Sequence, residues 1–478
     1  MEDSDLERLF ENGIIVDSSL KDKEIGDVDE LISSLKKKNI SILDAKTLYD
    51  IFREKKRLES LDTEAITDYK GEITQSKPQD WIAFFNARYE QLKSILIDRA
   101  DPKLLISAAG FMSVPDGSDV EIIGMVSNIS ISPVKKYQII DIEDPTGQCR
   151  IISRSVNDEI LKDQVLLFKG RKIKEAIFLD DVTFPDIKLR NDKVLNIGDT
   201  YVAFISDVHV GSSLFAEEQF KRFISWLKGE VGEYKDIAEK MRFLVINGDL
   251  VDGIGIYPGQ EKELKIKDIR SQYDELYSLL AEIPKNIKII ITQGNHDATR
   301  IAEPQPHIDP MFGGSLYLLD NAVFLSNPSL LNLKVDGSKR TLLLYHGFSI
   351  SYFVNNINKF NSMRPEDILS IMRLMLKSRH LAPVHGSAQV VPLRKDYLVI
   401  EDTPDIFATG HVHKAAISKY KDTIILNSSC WQFQTSYQKK YGIVPEVAKV
   451  PIVNLRDKSY FVLDFLGPKI QEYKGGSQ

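Results

Sequence analysis

Five apolar runs of strand length, spread between residues 201 and 413, each end in side chains that can bind a metal ion. These side chains are, in order along the chain, Asp207 and His209, then Asp249, then Asn295, His296 and Asp297, then His346, and last His411 and His413. Continuous apolar runs indicate strands buried on both faces, and α/β sheets carry their chemistry at the carboxyl ends of such strands. The repetition therefore predicts one shared site at an edge of a sheet.

The length and composition of the chain bound the kind of protein it can be. A chain of 478 residues is long for one hydrophobic core and should divide into two or three domains. Its net charge of -7 gives no global basic field, which argues weakly against nucleic acid, because a local groove or bound cations can supply positive potential. Cys149 and Cys430 lie in different predicted domains, which disfavours a disulfide framework and favours a reducing compartment.

Nothing in the sequence predicts a membrane partner. No apolar run approaches the roughly 18 residues that a membrane-spanning helix needs. The acidic N-terminus, Met1-Glu2-Asp3, is unlike a signal peptide. The sequence therefore predicts a soluble cytoplasmic protein.

The spacing of apolar residues predicts four regions. Residues 1–57 carry three helical stripes, the third formed by Leu43, Leu48, Ile51 and Phe52, and predict a small helical module. That module would either dock a partner or DNA, or be a helical appendage. Residues 58–117 predict a polar linker and then a helix packed on the core through Trp81, Phe84 and Phe85. From 200 to 478 strands alternate with helices, which is the α/β pattern.

Residues 118–199 contain several short strand-like runs with tight turns, which suits an OB-type β-barrel. Such barrels bind single strands through aromatic side chains on a positively charged face. The candidates here are the aromatic Tyr137, Phe168 and Phe178, and the basic Lys135, Lys136, Arg150, Lys169, Arg171 and Lys172. A barrel that serves as a scaffold for subunit contacts is an equally open interpretation.

The ligand-type residues are arranged as Asp207-x-His209, Gly248-Asp249, Gly294-Asn295-His296-Asp297, His346-Gly347 and Gly410-His411-x-His413. Over about residues 200–440, this order resembles the calcineurin-like metallophosphoesterases. The resemblance implies an α/β metallophosphoesterase sandwich that holds two divalent metal ions. Two cations at close range need a bridging anionic oxygen, which the carboxylate of Asp249 would supply.

The same resemblance implies a role for each of the other residues. Asp207, His209 and His413 would complete the shell of one metal ion. Asn295, His346 and His411 would complete the shell of the other. Oxygen and imidazole ligands without thiolate favour Mn²⁺, with Fe, Zn²⁺ or Mg²⁺ as alternatives.

The resemblance makes His296 and Asp297 catalytic rather than metal-binding residues. His296 would stabilise charge on the phosphoryl group or protonate the leaving oxygen, and Asp297 would orient its ring. Arg300 would either contact phosphate or form a surface ion pair. The remaining candidates, Asp252, His307, His380 and His385, are interpreted as structural residues.

Three further segments narrow the family. Residues 248–260, 364–369 and 404–413 are similar to the small subunits of archaeal family-D DNA polymerases. This resemblance implies a 3′→5′ exonuclease that proofreads single-stranded or mispaired DNA ends by two-metal phosphodiester hydrolysis. It also implies a heterodimer with a large catalytic subunit, and a sliding clamp is a further candidate partner.

Two rival functions remain open. A metal-dependent repair nuclease, or another metallophosphoesterase, shares the metal motifs but lacks the predicted barrel. A non-catalytic polymerase scaffold is the second rival, because related eukaryotic small subunits have largely lost the metal ligands. This sequence keeps every ligand position, which favours a working nuclease.

Overall fold

The computed structural model describes residues 3–17, 20, 28–44, 47–48, 51, 62–72, 74–190, 193–360 and 364–473. A small module lies at the N-terminus. Its elements are α1 (Asp3–Glu11), β1 (Ile15–Val16), α2 (Val28–Lys37) and β2 (Ile42–Leu43). Leu9, Leu31 and Leu35 form its buried core. Leu43 pairs with Val16 in a short parallel ladder, so the predicted third helical stripe is wrong at its first residue. Phe52 lies outside the described residues.

A strand occupies part of the stretch that the sequence predicts as a linker. β3 (Thr63–Asp68) runs antiparallel to residues 329–335 and forms the edge of a sheet in the large domain. Its side chains are half-buried or exposed, so it lacks the apolar alternation by which a strand is recognised. α3 (Pro78–Leu96) follows, with Pro78 at its start, and buries Phe84 and Leu92 as predicted.

A closed β-barrel follows this helix in the chain and confirms the OB-type prediction. Its strands are β4 (Leu105–Ile106), β5 (Asp119–Ile131), β6 (Gln138–Asp144), β7 (Gly147–Ser153), β8 (Val165–Ile173) and β9 (Ala176–Thr183). The order β5-β6-β7-β9-β8 is closed by pairing of β5 with β8, and β4 extends it beside β5. Ile122, Ile140 and Ile151 are among the side chains that fill its interior.

The barrel surface differs from the predicted single-strand-binding face. Phe168 is fully buried in the barrel core and cannot stack on a base. Lys172 is also buried, and its ammonium donates to the carbonyl of Phe111 (3.0 Å). Arg150 and Arg171 are exposed, but each is paired with a neighbouring aspartate. The prediction that Phe168 and Lys172 belong to a binding face is therefore wrong, because both side chains are buried.

Two mixed sheets packed face to face form the large domain, which confirms the predicted sandwich. Their strands are β10 (Tyr201–Ile205), β11 (Met241–Asn247), β12 (Lys288–Thr292), β13 (Ala322–Phe324), β14 (Ser329–Val335), β15 (Ser338–Leu344), β16 (Ile406–Thr409), β17 (Ala416–Tyr420), β18 (Thr423–Asn427), β19 (Lys449–Asn454), β20 (Tyr460–Asp464) and β21 (Gln471–Glu472). One sheet has the order β13-β12-β11-β10-β19-β20-β21 and the other β17-β18-β16-β15-β14-β3. Within them β10, β11 and β12 are parallel neighbours, as are β15 and β16, so their carboxyl ends share a rim.

Helices cover the outer faces of the sandwich. They are α4 (Glu217–Leu227), α5 (Lys235–Ala238), α6 (Ile269–Leu280), α7 (Pro310–Gly313), α8 (Ile350–Asn356), α9 (Pro365–Ser378) and α10 (Ser436–Lys440). α4 and α6 pack on the first sheet, and α8 and α9 pack on the second. Across the described residues, no helix has the length and apolar composition that crossing a membrane requires.

Candidate metal centre

The strand ends bring the predicted ligands to one rim of the sandwich. Five of them, Asp207, His209, Asp249, His411 and His413, have left-handed backbone conformations with φ between 50° and 71°. Residues other than glycine adopt this conformation at a cost of roughly 1–2 kcal/mol each. Strain of this kind is concentrated at functional sites, where the surrounding structure maintains it. The tight turn after each strand therefore marks this rim as the functional one.

Two glycines allow these turns to pack against the ligands. A Cβ atom on Gly294 would lie 2.2 Å from Oδ1 of Asp249, and one on Gly248 would lie 2.4 Å from Nδ1 of His346. Both distances are far below a possible contact, so any side chain would displace a ligand. The glycines beside the ligands are thus required by close approach.

Asp207, His209 and His413 form the first ligand group. Nε2 of His209 lies 3.2 Å from Nε2 of His413, and the latter lies 3.3 Å from Oδ1 of Asp207. All three side chains are buried. Two ring nitrogens and a carboxylate oxygen directed at one point are an arrangement that can hold one cation.

Asp249, His346 and His411 form the second group, with their ligand atoms within 4.8 Å of one another. Nδ1 of His346 lies 2.9 Å from the backbone carbonyl of Asn247, which directs Nε2 towards Oδ2 of Asp249 at 3.4 Å. The same Oδ2 is 4.0 Å from Nε2 of His209. Asp249 therefore lies between the two groups.

Burial and charge act against each other on the two aspartates. Burial disfavours the charged form of Asp249, but the nearby His346 and His296 outweigh it and lower the pKa of its carboxyl well below the ordinary value. Burial likewise opposes ionisation of Asp207, but His413 lowers the pKa of that carboxyl to about 2. Two buried carboxylates thus stay charged side by side, which requires positive charge near them.

Four buried atoms at the site have no hydrogen-bond partner among the described residues: Oδ1 of Asp207, Nδ1 of His209, Oδ1 of Asn295 and Nε2 of His346. Buried polar atoms in folded proteins are nearly always paired, so each exception needs an explanation. All four belong to the predicted metal ligands. Oδ1 of Asp207, Oδ1 of Asn295 and Nε2 of His346 can each bind a divalent cation, while Nδ1 of His209 faces the carboxylate of Asp252 at 3.2 Å. The residues present therefore fit the metal ions that the resemblance implies.

His296 lies at the open side of the centre. Its side chain is 15% exposed, and Nδ1 is 2.8 Å from the backbone carbonyl of Asp252. Nε2 lies 3.9 Å from Oδ2 of Asp249, so His209, Asp249 and His296 also satisfy the spacing of a ligand group. The geometry therefore allows His296 to be either a catalytic residue or an additional metal ligand.

Asp297 has different partners from those expected. Its carboxylate accepts hydrogen bonds from the backbone N–H groups of Gly294 (2.8 Å) and Leu250 (3.2 Å) and from the hydroxyl of Tyr273 (3.1 Å). Burial, with the charge of Asp249, raises the pKa of this carboxyl to about 7. Asp297 thus joins two ligand-bearing loops, and the backbone of Asp252 takes the ring-orienting position expected for Asp297.

Asp252, which the sequence predicts to be a structural residue, lies against a predicted metal ligand. Its Oδ1 lies 3.2 Å from Nδ1 of His209, on the side of the ring opposite the first ligand group. Gln432 and Gln260 donate to its two carboxylate oxygens, at 2.8 and 3.0 Å. Its signal in the sequence is its place three residues after Asp249, in the same loop that follows a buried strand.

Replacing Asp252 with alanine is expected to weaken metal binding about 10- to 100-fold, because His209 loses the carboxylate that lies 3.2 Å from Nδ1 of its ring. Isothermal titration with Mn²⁺ measures the affinity. Glu261→Ala, which removes an exposed carboxylate from the same loop, is the matched control and should bind normally. Equal affinity of both variants would show that Asp252 does not support the centre.

The other candidates lie outside the centre. His380 contacts Asp396 (2.9 Å), His307 contacts Asp68 (2.8 Å), and His385 packs on the rings of Trp81 and Phe85. Arg300 donates from Nη2 to the carbonyl of Pro304 (2.6 Å) and lies over the ring of Tyr69. These contacts give the three histidines structural partners and make Arg300 a residue that supports its own loop.

Comparison with known proteins places the centre in a family context. The family model for calcineurin-like phosphoesterases matches residues 200–415, which include every predicted ligand. The DNA polymerase II small subunit of Methanothermobacter thermautotrophicus is 40% identical, over 82% of this chain and 81% of that protein. The DNA polymerase II small subunit of Archaeoglobus fulgidus is 35% identical, over 93% of this chain and 88% of that protein.

Proposed function

Because the chain belongs to the family of archaeal DNA polymerase II small subunits and contains a calcineurin-like phosphoesterase domain, we propose that it is a metal-dependent 3′→5′ exonuclease. A small subunit implies a heterodimer with a large catalytic subunit, and the phosphoesterase fold implies divalent metal ions. The proposed substrate is a single-stranded or mispaired DNA end, so the activity would serve proofreading. The observation that supports it most is the set of buried, unpartnered ligand atoms around Asp249.

The proposed ligands divide between two metal ions. Asp207, His209 and His413 would hold one ion. Asn295, His346 and His411 would hold the other, with Asp249 shared between them. We propose Mn²⁺, because the donors are oxygen and imidazole nitrogen. When bound, such ions polarise a phosphodiester and lower the pKa of water.

His296 would act on the reacting phosphodiester from the open side of the centre. The carbonyl of Asp252 accepts a hydrogen bond from Nδ1 and so fixes the orientation of the ring. A protonated ring can then donate from Nε2 to the leaving 3′ oxygen or to a phosphoryl oxygen. Asp297 would contribute by holding the Gly294 and Leu250 backbones in place.

Replacing His296 with alanine tests this assignment. Hydrolysis of a 5′-labelled single strand by the co-purified heterodimer with Mn²⁺ is expected to fall about 100- to 10,000-fold, the range for loss of a general acid. Metal content and heterodimer assembly should not change, since His296 is not a proposed ligand. Product analysis on a gel and elemental analysis of the complex provide the two measurements.

The control is His385→Ala, which removes an exposed histidine that is not a proposed ligand. If the His296→Ala complex degraded single strands at the rate of the control, that result would contradict the proposed function. Loss of metal together with activity would instead assign His296 to the ligands, as its distance from Asp249 allows.

The described residues bear on the predicted role of the barrel, but not on the sliding clamp or the domain boundaries. The ion pairs of Arg150 and Arg171 suit the alternative of a scaffold for subunit contacts, while DNA binding at the exposed Lys135 and Lys136 stays a prediction. The sliding clamp and the domain boundaries at residues 57, 117 and 199 remain predictions from the sequence.

A further inference from the structure

Three tyrosine rings form a continuous row beside the candidate metal centre. The ring of Tyr257 lies 5.7 Å from that of Tyr437, which lies 4.7 Å from that of Tyr441. Tyr437 is 44% exposed and Tyr441 is 59% exposed. We call Tyr257, Tyr437 and Tyr441 the tyrosine platform. Tyr437 on the short helix α10 and Tyr441 directly after it are exposed and contribute little to a hydrophobic core. Core packing therefore does not explain why aromatic residues occupy these positions.

Hydrogen bonds fix the platform relative to the metal centre. In the loop that carries Tyr257, Gln260 donates to both the backbone carbonyl and the carboxylate of Asp252 (2.8 and 3.0 Å). On α10, the amide nitrogen of Gln438 lies 3.0 Å from Nδ1 of His413. The proposed ligand His413, and Asp252, which lies beside the proposed ligand His209, thus hold the two elements that carry the rings.

A carboxylate joins these two elements to each other. Glu263 accepts hydrogen bonds from the hydroxyl of Tyr257 (3.2 Å) and from the backbone N–H of Ser436 (3.0 Å). The loop and α10 therefore form one unit. The row of rings keeps a defined position at the rim without a large core of its own.

Positive charge alternates with the aromatic rings. Lys439 and Lys440 are exposed between Tyr437 and Tyr441, and Nζ of Lys440 lies 5.8 Å from the centre of the Tyr441 ring. Neither lysine has a carboxylate within 4.0 Å among the residues that the structure describes. Interleaved aromatic and basic side chains are the combination that binds single-stranded nucleic acid, through base stacking and phosphate contacts.

We propose that the tyrosine platform stacks unpaired bases of a DNA strand whose terminal phosphodiester lies at the metal centre, while Lys439 and Lys440 contact its phosphates. This inference rests on the proposed nuclease function and identifies what selects the substrate. The metal ligands can recognise only phosphate, which single and double strands share. A base must leave the duplex stack before both its faces are free for aromatic rings. The platform therefore favours frayed or single-stranded ends.

The double substitution Tyr437→Ala/Tyr441→Ala in the co-purified heterodimer tests the platform. The KM for a single-stranded oligodeoxynucleotide with Mn²⁺ is expected to rise about 5- to 150-fold, the effect of losing one stacked base. kcat should change much less, because the proposed ligands are untouched. Tyr437→Phe/Tyr441→Phe keeps the rings and should restore the wild-type KM. Phe10→Ala removes an exposed ring from the N-terminal module and is the matched control.

Two outcomes of this experiment would overturn the inference. One is a KM for the double alanine variant equal to that of the Phe10→Ala control. The other is an equal loss on a base-free chromogenic phosphodiester, which would show that the substitutions damage the metal centre instead.

A binding measurement separates failure of the platform from failure of the nuclease proposal. In the His296→Ala heterodimer, 2-aminopurine at the 3′ end of a single strand should lose fluorescence on stacking with the platform. The double alanine substitution should restore that fluorescence, and the double phenylalanine substitution should not. If the wild-type heterodimer hydrolyses no DNA, the nuclease proposal fails while quenching still supports the platform. Quenching that did not depend on Tyr437 and Tyr441 would contradict the proposed role of the tyrosine platform, whether or not the heterodimer hydrolyses DNA.

Discussion

Replacing Asp249 with asparagine is expected to remove both metal binding and nuclease activity, with a loss in rate of about 1,000-fold or more. Its Oδ2 lies 3.4 Å from Nε2 of His346 and 4.0 Å from Nε2 of His209, so one atom serves both ligand groups. An amide has the same shape but carries no charge, and two cations at close range then repel each other without compensation. Elemental analysis and single-strand degradation by the heterodimer measure the two losses.

The asparagine variant should fold and assemble normally. Oδ1 of Asp249 accepts a hydrogen bond from the backbone N–H of His296 (2.8 Å), and an asparagine oxygen can accept the same bond. Asp320→Asn, at a highly exposed aspartate, is the matched control for the chemical change. A variant that kept both metal ions, or more than about a tenth of the activity, would show that this carboxylate does not bridge the ions.

The convergence of the ligands could be predicted because it depends on local sequence. A fully apolar run predicts a buried strand by itself, and its carboxyl end places the next polar residue at the rim. Asp249 and His346 are found in this way, although almost a hundred residues separate them. The position of Asp252 behind His209 could not be found, because aspartates that shape a loop and aspartates that orient a ligand look the same in sequence.

Features that depend on distant partners were missed for a common reason. β3 exists because residues 329–335 offer it an edge to pair with, and its own sequence lacks an apolar alternation. In β8, the apolar run Val165 to Phe168 hides which side chains face inward, so Phe168 was assigned to the surface when it belongs to the core. Tertiary pairing and barrel closure decide both cases.

Replacing Arg88 with methionine is expected to destabilise the chain by about 3–5 kcal/mol, the cost of leaving one buried charge without its partner. Arg88 on α3 donates from Nε to Asp396 (2.7 Å) and from Nη1 to the carbonyl of Pro383 (3.0 Å). His380 contacts the same carboxylate at 2.9 Å, and all three side chains are buried. Urea unfolding followed by tryptophan fluorescence measures the change, since Trp81 lies on the same helix.

The pH dependence of this loss distinguishes a broken charge network from lost packing. Burial, and then the charge of Arg88, lower the pKa of His380 to about 4, so the ring is neutral in the wild type between pH 4 and the ordinary value. Without Arg88, the unpaired carboxylate of Asp396 raises the pKa of His380, and the folded variant gains a proton that the folded wild type does not bind. The unfolded chain binds a proton at His380 below the ordinary pKa, so the wild type, whose folded state does not bind it, loses stability as pH falls towards 5, whereas the variant loses less. The deficit should therefore be smaller at pH 5 than at pH 8.

Arg150→Met, at an exposed ion pair on the barrel, should cost less than about 1 kcal/mol at both pH values. A deficit for Arg88→Met that did not vary with pH would mean that the arginine acts by filling space rather than by charge.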